Sequence, residues 1–239
     1  DWKIIGPDYD PKWSEHVAWQ CDEDAYNASG QKCSAQSILF MHKNWEQDLV
    51  PRLIDLASKR KLKDLDIGPV LTWTNPQMRE HIDSLLKISG SKLLLGGKEL
   101  TNHSIPSVYG SLEPTALQVP IGAFLTDDFK KITKEVFGPF QVVVVYTDKE
   151  IGLVKDVLEK ITQNLTAAIV SNDAFFQQDL LANTVNGTTY TGMKARTTGA
   201  PQNHWFGPSG DPRSAGIGTP EAIINTWSSH REIIKDVGP

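Results

Sequence analysis

The sequence is poor in cysteine, with only Cys21 and Cys33 among its 239 residues. Two cysteines in a chain of this length do not make a disulfide scaffold, and they favour a reducing compartment. No paired histidines accompany them at metal-ligand spacing, which argues against a structural zinc site. We therefore predict no metal and a fold held by an ordinary hydrophobic core.

The sequence also lacks an excess of basic residues and any long apolar run. Its formal net charge is −5, which makes nucleic acid a poor candidate partner. No stretch is apolar enough to span a bilayer. The first residues show no basic region followed by an apolar one, so no targeting peptide is visible. Because the chain starts with Asp1 rather than Met, we take it to be a processed or truncated product, and the missing signal says nothing about a precursor.

Strands and helices alternate regularly in the second half of the sequence. Residues 141–146 contain a continuous β-branched run of four valines, typical of a strand buried on both faces. Four elements are predicted after it: a helix over 149–163, a strand over 165–170, a helix over 173–182 capped by Asp173, and a strand over 184–190. This order predicts an α/β fold with a parallel sheet and right-handed crossovers.

The first half predicts further elements between turn-rich segments. They are a helix over 11–26, a strand over 37–41, a helix over 45–59 capped by Asn44, a helix opened by Asn75 as cap and running to Ile88, and a strand over 92–95. The turn-rich segment 98–120 predicts a surface excursion with short strands. Residues 191–217 are dense in Gly, Pro, Ser and Thr, which is unusual for so long a stretch unless it is functional. A last helix is predicted from Thr219.

The most informative segment is Gly30-Gln31-Lys32-Cys33-Ser34-Ala35. Its cysteine follows a glycine-containing turn, and backbone N–H groups exposed at a turn can activate a thiol and stabilise an oxyanion. A lone cysteine among small residues is nevertheless more often a buried structural residue. These residues alone therefore leave both roles open for Cys33, whereas Cys21 matches no motif and is interpreted as structural.

Two further segments have an ordinary interpretation when each is taken alone. Glu135-Val136-Phe137-Gly138-Pro139, just before the β-branched run, would be a turn with a solvated carboxylate. Thr198-Gly199-Ala200, followed by Trp205-Phe206-Gly207-Pro208, would be a glycine-rich surface loop.

Taken in order, the segments resemble the motifs of the aldehyde dehydrogenase superfamily, Gly-Gln-x-Cys-x-Ala and Glu-x-Phe-Gly-Pro. The resemblance implies that Cys33 attacks the aldehyde carbon, that hydride leaves for a nicotinamide, and that water hydrolyses the resulting thioester. It implies that Glu135 accepts hydrogen bonds from the nicotinamide ribose and that Phe137 lies near the nicotinamide. Glu135 follows Cys33 by 102 positions (135 − 33), close to the usual separation in the family.

The segment from Thr198 to Pro208 resembles the substrate loop of delta-1-pyrroline-5-carboxylate dehydrogenases. The sequence as a whole resembles the plant branch of these enzymes, aldehyde dehydrogenase family twelve. In that family the loop amides and the serine after the cysteine hold the substrate α-carboxylate, while a phenylalanine packs on its aliphatic chain. The matching positions are Ser34, Gly199, Ala200 and Phe206. Backbone amides and a hydroxyl make a reasonable anion nest. The family's Pro-Phe-Gly-Gly is Trp-Phe-Gly-Pro here, and the segment after it is longer, so the resemblance does not determine the shape of the pocket.

The resemblance implies a catalytic domain over 1–225, with a largely parallel sheet flanked by helices, and a tail over 226–239. The NAD-binding domain is expected to be absent, because in the family it precedes the catalytic cysteine. The oxyanion-hole asparagine, the ribose-binding lysine and the region of the general-base glutamate would be absent with it. Asp22, Glu23 and Asp24 are nearby carboxylates, but they fit a solvated helix face better, and none is assigned as the base.

The implied activity is NAD-dependent oxidation of L-glutamate 5-semialdehyde to L-glutamate in proline catabolism. The implied setting is a homo-oligomer in the mitochondrial matrix that acts on a small molecule, without nucleic acid or membrane. We expect the isolated chain to be inactive or feeble as a dehydrogenase. Three alternatives stay open: a dehydrogenase of another acidic semialdehyde, an inactive proteolytic or oligomerisation fragment, and a cysteine hydrolase that recruits one of six scattered histidines.

Overall fold

A computed structural model describes residues 1–198 and four isolated positions, 224, 228, 231 and 233. Apart from those positions, the predicted helix from Thr219 and the predicted tail over 226–239 lie outside the described residues. Among the described residues, no helix is both long and apolar enough to cross a membrane.

Residues 1–198 form one seven-stranded sheet together with helices. The strands are β1 (Trp2–Ile5), β2 (Ile38–His42), β3 (Lys92–Leu95), β4 (Thr115–Gln118), β5 (Phe140–Tyr146), β6 (Thr166–Val170) and β7 (Thr188–Thr191). The α-helices are α1 (Ser14–Tyr26), α2 (Lys43–Lys59), α3 (Asn75–Leu86), α4 (Phe129–Ile132), α5 (Ile151–Lys160) and α6 (Ala174–Ala182).

The strands lie in the order β3-β4-β5-β2-β1-β6-β7. Every neighbouring pair is parallel except β3 and β4, which are antiparallel. The predicted α/β class and the largely parallel sheet are therefore confirmed. The predicted β-α-β-α-β order from residue 141 onward is also confirmed, as β5, α5, β6, α6 and β7.

Helices cover both faces of the sheet, because successive strand residues point to opposite sides. Ile4 and Phe40 pack on one face with residues of α3, α5 and α6. Ile5 and Met41 pack on the other face with residues of α1 and α2. A strand buried on both faces reads as an uninterrupted apolar run, which is why β5 and β6 are recognisable in the sequence.

Strand β1 is a feature that the sequence analysis did not predict, although it lies inside the sheet between β2 and β6. Its first residue, Trp2, pairs with Ile38 on one side and Ala167 on the other. The strand has only four residues, and one of them is Lys3, which is fully buried. A buried lysine needs a partner, and Asp24 of α1 supplies it at 2.8 Å.

Two predicted helix caps are wrong by one or two positions. The cap of α2 is His42, whose Nδ1 accepts the Asn44 amide at 3.3 Å, while the Asn44 side chain instead donates to the Pro7 carbonyl at 2.7 Å. The cap of α3 is Thr74, whose amide donates to the Gln77 side chain at 2.9 Å. In both cases the residue with extended backbone geometry is the cap, as the geometry of a helix start requires. The cap predicted at Asp173 is confirmed.

Candidate active site

Cys33 lies in a tight turn that enters strand β2. The Ala35 amide donates to the Lys32 carbonyl at 3.0 Å, so Cys33 and Ser34 occupy the two central positions of the turn. The Cys33 side chain is exposed, and Ser34 is half-buried. The turn therefore presents the thiol to solvent, which a nucleophile requires.

The residues before Cys33 have a backbone that ordinary side chains seldom adopt. Ala28, Ser29 and Gly30 follow one another with φ values of 55°, 57° and 66°. Side-chain hydrogen bonds hold this segment in place: the Ser29 hydroxyl accepts the Gly68 amide at 2.7 Å. Gln31 donates to the Pro69 carbonyl at 2.8 Å and accepts the Leu71 amide at 3.0 Å. Strain that neighbouring contacts maintain in this way is common at functional sites.

The backbones of the two motifs approach each other at their glycines. A Cβ placed on Gly30 would lie 2.1 Å from the Gly138 carbonyl oxygen, so only glycine fits at this position. Phe137, next to Gly138, itself has a φ of 49°. The loop that carries Cys33 is thus packed directly on the loop that carries Glu135.

Cys33, Glu135 and Phe137 line one cavity of about 530 Å³. The side chains around them are mainly apolar or hydroxyl-bearing: Trp2, Ile38, Phe129, Thr133, Ile161 and Leu165. The structure therefore brings together the predicted nucleophile and both predicted cofactor-binding residues, which lie 102 positions apart in the sequence.

The cavity lies at the amino-terminal edge of the parallel strands. Cys33 stands five positions before the first residue of β2 (38 − 33), and Glu135 stands five before the first residue of β5 (140 − 135). Because β2 and β5 are parallel neighbours, the segments that precede them meet at the same edge.

A second cavity, of about 670 Å³, lies near the end of α2 and the end of β3. Its lining includes Arg60, Leu95 and Glu113 but none of the predicted site residues that the structure describes, which are Cys33, Ser34, Glu135 and Phe137. The larger cavity is therefore not the candidate active site, because the chemistry of a site and not its size identifies it.

Comparison with protein families gives a match between residues 4–210 and the aldehyde dehydrogenase family. The chain belongs to the aldehyde dehydrogenase family. The resemblance inferred from the motifs of Cys33 and Glu135 is therefore confirmed at the level of the family.

One relative is similar to this chain in sequence, and two solved structures share its fold. The chain is 61% identical over its whole length to mitochondrial delta-1-pyrroline-5-carboxylate dehydrogenase 12A1 of Arabidopsis thaliana, of which it spans 43%. A salicylaldehyde dehydrogenase from Pseudomonas putida G7 shares the fold, with a TM-score of 0.71 at 17% identity over 100% of this chain and 46% of that one. A glyceraldehyde-3-phosphate dehydrogenase from Methanocaldococcus jannaschii, solved with NADP, has a TM-score of 0.67 at 17% identity over 86% of this chain and 41% of that one.

The two cysteines of this aldehyde dehydrogenase chain differ in environment. Cys33 is exposed, whereas Cys21 is buried in α1, and burial raises the pKa of the Cys21 thiol to about 11. The thiolate is the form that reacts with alkylating agents, so a buried thiol with a high pKa is inert.

We expect iodoacetamide to alkylate Cys33 in the folded chain and to leave Cys21 unmodified. Digestion and peptide mass spectrometry after a timed exposure at neutral pH give the extent of labelling at each position. The same exposure in guanidinium should label both cysteines and serves as the control. Equal labelling of Cys21 and Cys33 in the folded chain would contradict the exposure that the structure assigns to Cys33.

The carboxylates near the nucleophile correct one prediction. Asp22 and Asp24 do not lie on a solvated helix face: both are buried, and only Glu23 is half-buried. Arg60 pairs with Asp22 and with Glu23 at 2.6 Å, and Lys3 pairs with Asp24. Helical periodicity cannot reveal this burial, because Lys3 and Arg60 come from outside the helix. Each of these three carboxylates is therefore engaged in an ion pair.

The structure places the predicted substrate residues only in part. Ser34 is half-buried beside Cys33 in the turn. Gly199, Ala200 and Phe206 lie outside the described residues, whose continuous stretch ends just before the loop, at Thr198.

Several lining residues of the cavity were not predicted. Trp2 and Leu165 reach it from β1 and from the segment before β6, and Phe129 and Thr133 reach it from α4 and its end. Their only signal in the sequence is position: Trp2 is the first residue of β1, and Leu165 stands directly before β6. That signal is useful only once the order of the strands is known.

Proposed function

We propose that this chain is the catalytic part of an NAD-dependent dehydrogenase that oxidises L-glutamate 5-semialdehyde to L-glutamate. The cavity shared by Cys33, Glu135 and Phe137 carries the proposal, in a chain 61% identical to an Arabidopsis enzyme named as a delta-1-pyrroline-5-carboxylate dehydrogenase. The name of that relative also supports a mitochondrial location. We extend the proposal to residues 1–225 as the catalytic domain and to a homo-oligomeric parent enzyme.

Cys33 is the proposed nucleophile. Its sulfur adds to the aldehyde carbon and gives a thiohemiacetal, whose oxyanion the Cys33 backbone amide would stabilise. Loss of hydride from this carbon and of the hydroxyl proton leaves a thioester on Cys33. Water then adds to the thioester, and the carboxylate product leaves as the thiol re-forms.

Glu135 and Phe137 are the proposed contacts of the cofactor. Glu135 is exposed, and an ionised carboxylate is a strong acceptor for a pair of ribose hydroxyls. The apolar side chains of the same cavity suit the face of an aromatic ring. Glu135 and Phe137 would hold the ribose and the nicotinamide of NAD, which would accept the hydride when bound.

Ser34, Gly199, Ala200 and Phe206 are the proposed substrate contacts. A hydroxyl next to the nucleophile and two loop amides would hold the α-carboxylate, and Phe206 would pack on the aliphatic chain. Such a nest selects an aldehyde whose far end is an anion, because an uncharged end leaves the donors unpaired.

In a chimera in which this chain replaces the stretch that it matches in the Arabidopsis relative, we expect Glu135→Gln to raise the KM for NAD+ by about tenfold or more, because a charge-assisted hydrogen bond stabilises by roughly 1.5–3 kcal/mol. Initial rates of NADH formation at varied NAD+ measure this change. Glu80→Gln is the matched control, since Glu80 is an exposed glutamate on α3 outside the cavity. An unchanged KM for NAD+ in Glu135→Gln would remove Glu135 from the cofactor site.

The function is tested in a chimera in which this chain replaces the stretch that it matches in the Arabidopsis relative. The expected result is a kcat/KM for glutamate semialdehyde about tenfold or more above that for succinate semialdehyde and for propanal. A preference for another acidic semialdehyde would redirect the proposal to that substrate, and no NADH from any aldehyde would overturn it. The isolated chain should form little NADH, and robust production by it would contradict the expectation that it is feeble alone.

A further inference from the structure

Asp24 is a buried carboxylate whose hydrogen-bonding capacity is filled. Its Oδ2 accepts from the Lys3 ammonium at 2.8 Å and from the Thr197 amide at 2.8 Å. Its Oδ1 accepts from Arg196 Nε at 2.8 Å and from the Thr198 hydroxyl at 2.6 Å. Four donors satisfy the four lone-pair positions of one carboxylate, three of them from the consecutive residues 196–198.

The charge of Asp24 is stabilised in this position. Burial by itself raises the pKa of Asp24, but the Lys3 ammonium, the hydrogen bonds from Lys3 and Thr198, and the Arg196 guanidinium outweigh it and lower the pKa. The carboxylate is therefore ionised at neutral pH, and its hydrogen bonds are of the stronger, charge-assisted kind.

The backbone of Asp24 holds the nucleophile loop at the same time. The Asp24 carbonyl accepts a hydrogen bond from the Gln36 amide at 2.9 Å. This bond joins the two ends of the segment 24–36, which contains Cys33. One residue thus contacts both the segment that follows Cys33 and the segment 196–198. Two further contacts of α1 lie alongside it: Gln20 donates to the Met193 carbonyl at 3.2 Å, and Arg196 stacks over the Trp19 ring at 5.0 Å.

The segment 196–198 leads directly into the proposed substrate loop. Gly199 and Ala200, the proposed α-carboxylate contacts, follow Thr198 in the sequence. The distance from the Cys33 sulfur to those contacts decides which aldehyde places its carbonyl carbon at the sulfur. Misplacement of a substrate by about 1 Å can lower the rate on the order of 100-fold.

We propose that Asp24 is a positioning residue that fixes residues 196–198, which lead in sequence into the proposed substrate loop, relative to Cys33, because its carboxylate binds residues 196–198 while its carbonyl binds the Gln36 amide after Cys33. This role rests on the proposed function, since it concerns the site for the substrate α-carboxylate. It assigns Asp24 no contact with the reacting atoms.

The test compares Asp24→Asn and Asp22→Asn in the chimera. Asn keeps the shape of Asp24 but lacks the charge and one acceptor, so the KM for glutamate semialdehyde should rise about tenfold, with less than about a threefold change in kcat/KM for propanal. Asp22→Asn makes the same chemical change on the same helix, where the partner is Arg60 instead, and should leave the ratio of the two substrates unchanged. An equal loss toward both aldehydes in Asp24→Asn, or no loss, would overturn the role.

Thr198 supplies a second pair of variants that leaves Lys3 paired. Thr198→Val removes the hydroxyl that donates to Asp24 and accepts from Arg196, and Thr198→Ser retains it. We expect Val to raise the KM for the semialdehyde selectively and Ser to restore it, whereas equal behaviour of Val and Ser would count against the proposal even if Asp24→Asn fails to fold. A wild-type chimera without preference for the semialdehyde overturns the proposed function itself. A wild type that prefers the semialdehyde, with variants that lose activity equally toward both aldehydes, overturns only the role of Asp24.

Discussion

Cys33→Ser in the chimera should lower kcat for aldehyde oxidation at least about 10³-fold, because a serine hydroxyl is far less ionised and less nucleophilic than a cysteine thiol at neutral pH. The change only replaces the sulfur by oxygen, at an exposed turn position. We therefore expect the free energy of unfolding to change by no more than about 0.5 kcal/mol, as for ordinary surface substitutions, and the melting temperature to change little. NADH formation and thermal melting of the same preparation measure both quantities.

Cys21→Ala is the matched control for this experiment. Cys21 is fully buried in α1 among apolar neighbours, so its loss should cost some stability and leave kcat nearly unchanged. The two variants thus have opposite profiles, one with lost activity at intact stability and the other with lost stability at intact activity. Dehydrogenase activity retained in Cys33→Ser would show that another group forms the covalent intermediate or that none is formed.

The predictability of the sheet depended on how each strand is buried. Strands β5 and β6 were predictable because burial on both faces gives them continuous apolar sequences. Strand β1 was not, because Lys3 interrupts its apolar character, and its buried ammonium finds its partners, Gln20 and Asp24, 17 and 21 positions later. A local sequence pattern does not show which residues pair across such a distance in the chain.

The candidate site was predictable in its residues and not in its arrangement. The order of residues around Cys33 and Glu135 identifies them through the family motifs. That both lie at one edge of the sheet follows from the pairing of β2 with β5, which no local pattern indicates. The burial of Asp22 and Asp24 was missed for the same reason, since the covering groups, Lys3 and Arg60, lie elsewhere in the chain.

The contact between the two motifs gives the prediction with the largest effect on stability. A Cβ on Gly30 would lie 2.1 Å from the Gly138 carbonyl oxygen and 2.9 Å from the Ala25 carbonyl oxygen, and φ at Gly30 is +66°. Gly30→Ala therefore combines a left-handed backbone, which costs about 1–2 kcal/mol, with overpacking, which costs about 1–3 kcal/mol. We expect the free energy of unfolding to fall by about 2–5 kcal/mol, or roughly 5–15 °C in melting temperature for a chain of this size.

Two other glycines separate these contributions. Gly192 has a φ of +105° with nothing within 4 Å of an added Cβ, so Gly192→Ala tests the backbone cost alone. Gly122 has neither a positive φ nor a neighbour within 4 Å, so Gly122→Ala should change stability by no more than about 0.5 kcal/mol. In the chimera, only Gly30→Ala should also lower kcat/KM, by about 100-fold, because relief of the clash moves the Cys33 loop away from the Glu135 loop. If Gly30→Ala instead behaves like Gly192→Ala in both melting and activity, the close approach of Gly30 to Gly138 does not hold the nucleophile beside the cofactor residues.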